Sequence, residues 1–172
     1  MKQSKKLLSL SLAAAMTMGL AAPAMAAEET VKPEEGKIVI LHTNDVHCQI
    51  DQAKGEDGAV TNLGYAGVAA YKAEMEAQYG AENVTLVDAG DAIQGGPIGT
   101  LSKGSYIVDI MNQVGYDLAI PGNHEFDYGY QNLKDLEADA DFTIVDANVL
   151  YNGQVAFEDN VVFTAPDGTK IG

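Results

Sequence analysis

The chain has no arginine, a single cysteine (Cys48) and only three histidines, at positions 42, 47 and 124. A lone cysteine excludes an internal disulfide, so packing, aided by any metal, must hold the fold. Cys48 follows His47 directly, but no Lys or Arg stands beside it to lower its pKa, and it reads as a half-buried spectator thiol rather than a ligand or nucleophile. No internal repeat or low-complexity tract occurs. Beyond the N-terminal segment no apolar run reaches the roughly 20 residues needed to cross a bilayer. Cations are scarce: past residue 26, seven lysines face 25 acidic side chains, a net charge near −18. That balance argues against nucleic acid polymers and anionic membranes as partners. It also sits poorly with an anionic substrate unless a bound metal supplies positive charge locally.

What is present begins with a targeting segment. Lys2, Lys5 and Lys6 precede an uncharged apolar or small stretch from Leu7 to Leu20, and Ala24-Met25-Ala26 offers a small-residue cleavage site. This order reads as a secretory signal peptide over residues 1–26, which predicts export to a periplasm, a cell surface or the medium. Residues 27–36 read as a short flexible lead. Residues 37–172 then form the folding unit, large enough for one ordinary core.

Along that unit, strand and helix patterns alternate. Residues 37–43 ("KIVILHT") read as a buried strand, and 83–91, 116–123 and 142–150 as three more. Helices are expected over 65–80, with Tyr65, Val68, Ala69, Lys72, Met75 and Tyr79 on one face, over 105–115, and over 130–139. Gly80 and Gly115 close the first two. Residues 44–64 show no period and read as a long loop. The alternation predicts an α/β fold with a largely parallel sheet. After Asn148 the pattern changes to a β-hairpin turning at Asp167-Gly168. The chain stops inside that apparent strand, so it is expected to be the N-terminal portion of a longer domain.

In open α/β sheets, ligands sit beyond the carboxyl ends of the strands. There the first strand is followed by "NDVHC", the second by "AGDAIQGG" and the third by "PGNHEFD". Asp45 and His47 lie two apart and in extended chain would share one side. Asp91 follows Gly90, and Asn123 and His124 follow Gly122. These oxygen and nitrogen donors suit a hard or borderline divalent cation, and the two glycines allow tight turns and close backbone approach. Each motif alone is weak; three in order, each at a strand end, are strong. Neighbouring residues take blander readings. Asn44 and Asp88 are either supports of the site or a turn and a strand-end cap. Glu125 is structural or solvated, His42 is a satisfied core histidine, and Gln94, Gly95 and Gly96 shape the rim.

The pattern D-V-H, G-D, G-N-H-E resembles the calcineurin-like metallophosphoesterases. "ILHTNDVHCQ", "AGDAIQGGPIG" and "AIPGNHEFDYG" resemble one branch, the 5′-nucleotidase and UDP-sugar hydrolase family of exported bacterial enzymes. The resemblance implies a β-sandwich flanked by helices in four α-β-β-α layers, of which this chain holds an incomplete N-terminal part. It implies two divalent metal ions, Zn, Mn or similar. Asp45 and His47 would hold the first, Asp91 would bridge both, and Asn123 would hold the second. His124 would face the phosphate, and Asp127 would brace His124. The implied reaction is hydrolysis of a nucleoside 5′-monophosphate by metal-activated hydroxide, with a nucleotide as partner. The alternatives are a 2′,3′-cyclic nucleotide phosphodiesterase, a UDP-sugar hydrolase, or a catalytically dead binding module. The pattern also calls for later histidines and a C-terminal nucleotide-binding domain that are absent here, so the chain by itself is expected to be inactive.

Overall fold

A computed structural model describes residues 37–172. The signal peptide and the lead expected over residues 1–36 lie outside the described residues. In chain order the elements are β1 (Val39–Thr43), β2 (Ala53–Lys54), β3 (Val60–Asn62), α1 (Gly64–Tyr79), β4 (Val84–Asp88), α2 (Pro97–Ser102), α3 (Ser105–Val114), β5 (Leu118–Ala119), α4 (Tyr130–Asp139), β6 (Thr143–Ile144), β7 (Leu150–Tyr151), β8 (Gln154–Val155), β9 (Phe163–Thr164) and β10 (Lys170–Ile171). Strands β1, β4, β5 and β6 form one parallel sheet in that spatial order. This is the expected α/β arrangement: a parallel sheet with helices packed against it. Leu86 of β4, Ile107 of α3 and Leu133 of α4 are the most deeply buried large side chains of a single core.

The three long helices fall where periodicity put them. The chain leaves α1 at Gly80 and α3 at Gly115. Along α1 the expected inner face, from Tyr65 to Tyr79, is buried or half-buried, while Tyr71 is exposed. Three expectations need correction. First, β1 is an edge strand rather than a buried one. Its side chains alternate, so Leu41 packs on the core while Ile40 is 54% exposed. His42 shares the Ile40 face and is exposed, not a core histidine.

Second, the later strands are much shorter than their apolar runs. Asp117 turns its carboxylate onto the Leu86 amide at 2.8 Å, a position that a ladder carbonyl would otherwise fill, and pairing with β4 begins only at Leu118. Just after β6 the Asp146 carboxylate captures the amides of Asn148 and Val149, both at 2.9 Å, and turns the chain away. Leu150–Tyr151 therefore belongs to a separate hairpin with Gln154–Val155, turning at Asn152-Gly153 with positive φ at both residues. Third, the expected long loop at 44–64 carries the small antiparallel pair β2–β3. The hairpin expected at Asp167-Gly168 forms, as β9–β10.

Candidate metal centre

Three loops leave the carboxyl ends of β1, β4 and β5 and meet. Backbone hydrogen bonds lace the first two together: the amides of Asp45, His47 and Cys48 donate to the carbonyls of Gly90, Asp91 and Ala92 at 2.9, 2.9 and 3.0 Å. This lacing gives the loop its shape. Asp45, His47 and Asp91 all adopt left-handed backbone, with φ of 51°, 46° and 59°. Each such non-glycine residue costs about 1–2 kcal/mol, and strained backbone of this kind gathers at functional sites. The extended chain expected for Asp45-Val46-His47 is thus replaced by a sharp turn. The two side chains still reach one place, because the turn aims them there.

The donor atoms of Asp45, His47 and Asp91 all lie within 4.8 Å of one another. Each is held from behind. The His47 Nδ1–H donates to the carbonyl of Gln94 at 2.9 Å, which leaves Nε2 with its lone pair free. Asn44 donates its side-chain amide to Asp45 Oδ2 at 2.6 Å. The amide of His124 donates to Asp91 Oδ1 at 2.9 Å, tying the third loop to the second. Two glycines make that approach possible. A Cβ on Gly90, whose φ is 97°, would sit 2.6 Å from the Gly122 nitrogen, and one on Gly122 would collide with Asp91. Their small size serves the packing of one loop on the other.

His124 stands on a single 3-10 turn, His124–Phe126, directly after Asn123. Its ring meets that of His47 edge to face, with centroids 5.3 Å apart. Its Nδ1 is 2.8 Å from Asp127 Oδ2. That hydrogen bond raises the imidazole pKa above its ordinary value, helped by the charges of Asp127, Asp91 and Glu125. Both side chains remain partly open to solvent, at 37% and 40% exposure. Asn123 is exposed, beside the amide that ties to Asp91.

Other residues around the loops take definite places. Cys48 is buried, its thiol pushed up in pKa by burial and directed at the Ala92 carbonyl, and it does not belong to the donor cluster. It is more deeply buried than the half-buried position expected. Asp88 is buried at the end of β4, where its carboxylate accepts the Thr43 hydroxyl at 2.5 Å and the Gly90 amide at 2.9 Å. Glu125 takes the structural rather than the solvated role: it is 6% exposed, and its carboxylate accepts backbone amides from two loops. No local pattern distinguished it from a surface acid. The Gln94 carbonyl behind His47 was equally invisible, because a main-chain acceptor leaves no trace in residue type.

Residues 38–169 match the calcineurin-like phosphoesterase family. The chain belongs to that family. Among individual relatives, a snake venom 5′-nucleotidase from Gloydius brevicauda is 40% identical over 123 residues, which cover 70% of this chain and 21% of the relative. The human 5′-nucleotidase is 38% identical over 124 residues, covering 70% of this chain and 22% of the relative. A solved 5′-nucleotidase precursor from Thermus thermophilus superposes with a TM-score of 0.66 at 29% identity, over 77% of this chain and 27% of that one. The chain thus spans about a fifth of the curated relatives it matches.

The calcineurin-like phosphoesterase family uses two divalent metal ions, and the donor cluster fits a site for one of them. A cation with ligand distances of about 2.0–2.2 Å keeps its donors within roughly 4.4 Å of each other. Three donors around one ion cannot all lie opposite one another and sit about 3–4 Å apart at those distances, so donors no more than 4.8 Å apart need to close by about 1–2 Å at most. Two carboxylates and a neutral imidazole are the donor types that Zn and Mn accept.

Proposed function

We propose that this chain carries the N-terminal part of the active site of an exported, dinuclear-metal phosphoester hydrolase acting on nucleoside 5′-monophosphates. The observation that carries this reading is the Asp45–His47–Asp91 cluster with the His124–Asp127 pair beside it. The 5′-nucleotidase relatives support the substrate class. Asp45 and His47 would hold the first ion, Asp91 would lie between the two, and Asn123 would hold the second. When bound, the ions supply a hydroxide nucleophile near neutral pH and positive charge for the phosphoryl oxygens.

The chain's own residues do the rest. With Nδ1 occupied by Asp127, His124 has only Nε2 left to offer a proton toward a phosphoryl oxygen. Asp127 sustains the protonated ring, and the strongly acidic chain then presents one local cation to an anionic substrate. Gln94 keeps the His47 lone pair on Nε2. Export rests on the basic, apolar and small-residue order of residues 1–26. No helix among the described residues is long and apolar enough to cross a membrane.

The test is hydrolysis by the complete gene product of nucleoside 5′-monophosphates, 2′,3′-cyclic nucleotides and UDP-sugars, with and without added divalent metal. Metal-dependent release of phosphate, strongest with 5′-monophosphates, is the expected result. Absence of metal-dependent hydrolysis of any of these would sink the reading. Mass spectrometry of the N-terminus of the exported protein is expected to start at Ala27.

A further inference from the structure

Glu125 lies beside the metal-binding residues, but nothing in the reaction just proposed uses it. Its carboxylate is buried, and among the described residues its hydrogen-bond partners are backbone amides rather than cationic side chains. Oε1 accepts the amides of Ala92 at 2.8 Å and Ile93 at 3.3 Å. Oε2 accepts those of Asp91 at 2.8 Å and Gly122 at 2.6 Å. Three of these donors belong to the loop after β4 and one to the loop after β5. In return, Asp91 Oδ1 accepts the amide of His124, the residue before Glu125. The two loops are tied reciprocally, each giving a carboxylate to the other's backbone.

The placing of these ties gives them a consequence. Asp91 sits in left-handed backbone, φ 59°, and its own amide is one that Glu125 holds. A strained backbone persists only where its surroundings over-determine it. The next two amides along the loop are held by the same carboxylate, so the chain cannot relax downstream of Asp91 without breaking them. The Asp91 carbonyl in turn receives the His47 amide at 2.9 Å, which carries the constraint to the first loop. A buried carboxylate that accepts several amides is well satisfied, and losing an acceptor strands those donors.

We propose that Glu125 is a positioning residue for the metal centre: its carboxylate holds Asp91, and through it His47, at the angle needed to bind a divalent cation. The inference rests on the proposed metallophosphoesterase reading and adds a residue to it. The variant to make is Glu125→Gln in the complete protein. Glutamine has the same shape, but one of its two arms is a donor, so it can serve only half of the four amides. Glu125→Asp keeps the charge but shortens the arm, so it cannot reach both loops.

Metal affinity is measured by calorimetric titration with Mn²⁺ and Zn²⁺, and site geometry by the absorption spectrum of the Co²⁺ form. Glu125→Gln is expected to fold, to bind either ion about 10–100-fold more weakly, and to shift the Co²⁺ bands. Glu125→Asp is expected to fall between it and the wild type. Wild-type affinity and an unchanged Co²⁺ spectrum in Glu125→Gln would overturn the proposal, whatever the turnover. If the variant does not fold, amide hydrogen exchange of the metal-free wild type decides. Protected amides at 91, 92, 93 and 122 support the clamp, and exchange at open-chain rates overturns it. A wild type that binds metal but hydrolyses no phosphoester would refute the proposed reaction and leave the clamp standing. A wild type that binds no divalent cation would overturn both.

Discussion

His47 and His124 come from different loops, and their rings meet edge to face at 5.3 Å with 73° between their planes. Each ring has Nδ1 engaged, by the Gln94 carbonyl and by Asp127 respectively. Each therefore has Nε2 alone left for chemistry, and the two histidines differ by what holds them. The carbonyl behind His47 holds a proton on Nδ1 and so fixes which ring nitrogen faces outward, whereas the carboxylate behind His124 favours the protonated ring.

His124→Ala in the complete protein is expected to lower kcat by about 10²–10³-fold with a smaller change in KM, the cost of removing one preorganised charge-stabilising group. Asp127→Asn is expected to lower kcat less, because the ring remains and only its brace is lost. Steady-state kinetics at saturating metal checks both, and an unimpaired kcat in His124→Ala would remove that residue from the mechanism.

Saturating divalent metal is expected to stabilise the protein. At a free concentration of about 100 times Kd the gain is about 2.7 kcal/mol. Asp45→Asn removes a ligand's negative charge and His47→Ala removes a donor, and each is expected to abolish most of that gain. Differential scanning calorimetry with Mn²⁺, with Zn²⁺ and with chelator reads it directly.

Gly90→Ala is expected to destabilise by roughly 2–5 kcal/mol, the sum of a left-handed alanine and an overpacked contact. Gly58 provides the control. It also has positive φ, 80°, but a Cβ there meets nothing within 4 Å. Gly58→Ala is expected to cost only the backbone component. Equal losses in urea denaturation of the two variants would mean that the Gly90–Gly122 approach carries no weight.

Asp88 sets a pH dependence. Burial pushes its carboxyl from 3.8 up to about 6, against the lowering effect of the Thr43 hydroxyl and the Gly90 amide. The folded protein therefore keeps a proton that the unfolded chain releases. The stability linked to this group is fully present below pH 3.8 and is lost as pH rises to 6, by about 1.4 kcal/mol per pH unit. Asp88→Asn removes the ionisation and is expected to flatten the stability curve between about pH 4 and 6. Guanidinium unfolding at several pH values compares the slopes, and parallel curves would contradict the assignment.

Much of this was legible beforehand, for local reasons. The helices at Gly64–Tyr79, Ser105–Val114 and Tyr130–Asp139 follow from apolar spacing over several turns, with a glycine exit for the first two. The donor residues were legible because carboxylate and imidazole are themselves the chemistry of a metal site, and strand ends are where such sites form. Asn152-Gly153 was also readable as a hairpin turn, but the apolar run before it was assigned instead to one long strand. The ends of that strand and of β5 depend on Asp146 and Asp117, whose carboxylates compete for backbone amides in ways that residue type does not announce.

The sequence by itself determined the alternation of the parallel strands with the three long helices, the kinds of donor at each strand end and the lack of a disulfide within this chain, because these depend on composition and short-range periodicity. Tertiary structure alone decided that Asp45 and His47 meet through left-handed turns, that His42 faces outward, and that Glu125 is buried among amides. Those outcomes rest on partners 32 to 34 residues away for Glu125, on the amides and carbonyls of a second loop, and on the place of β1 at the sheet edge. Main-chain donors and acceptors are the same in every non-proline residue, so only the folded path reveals which of them a side chain will meet.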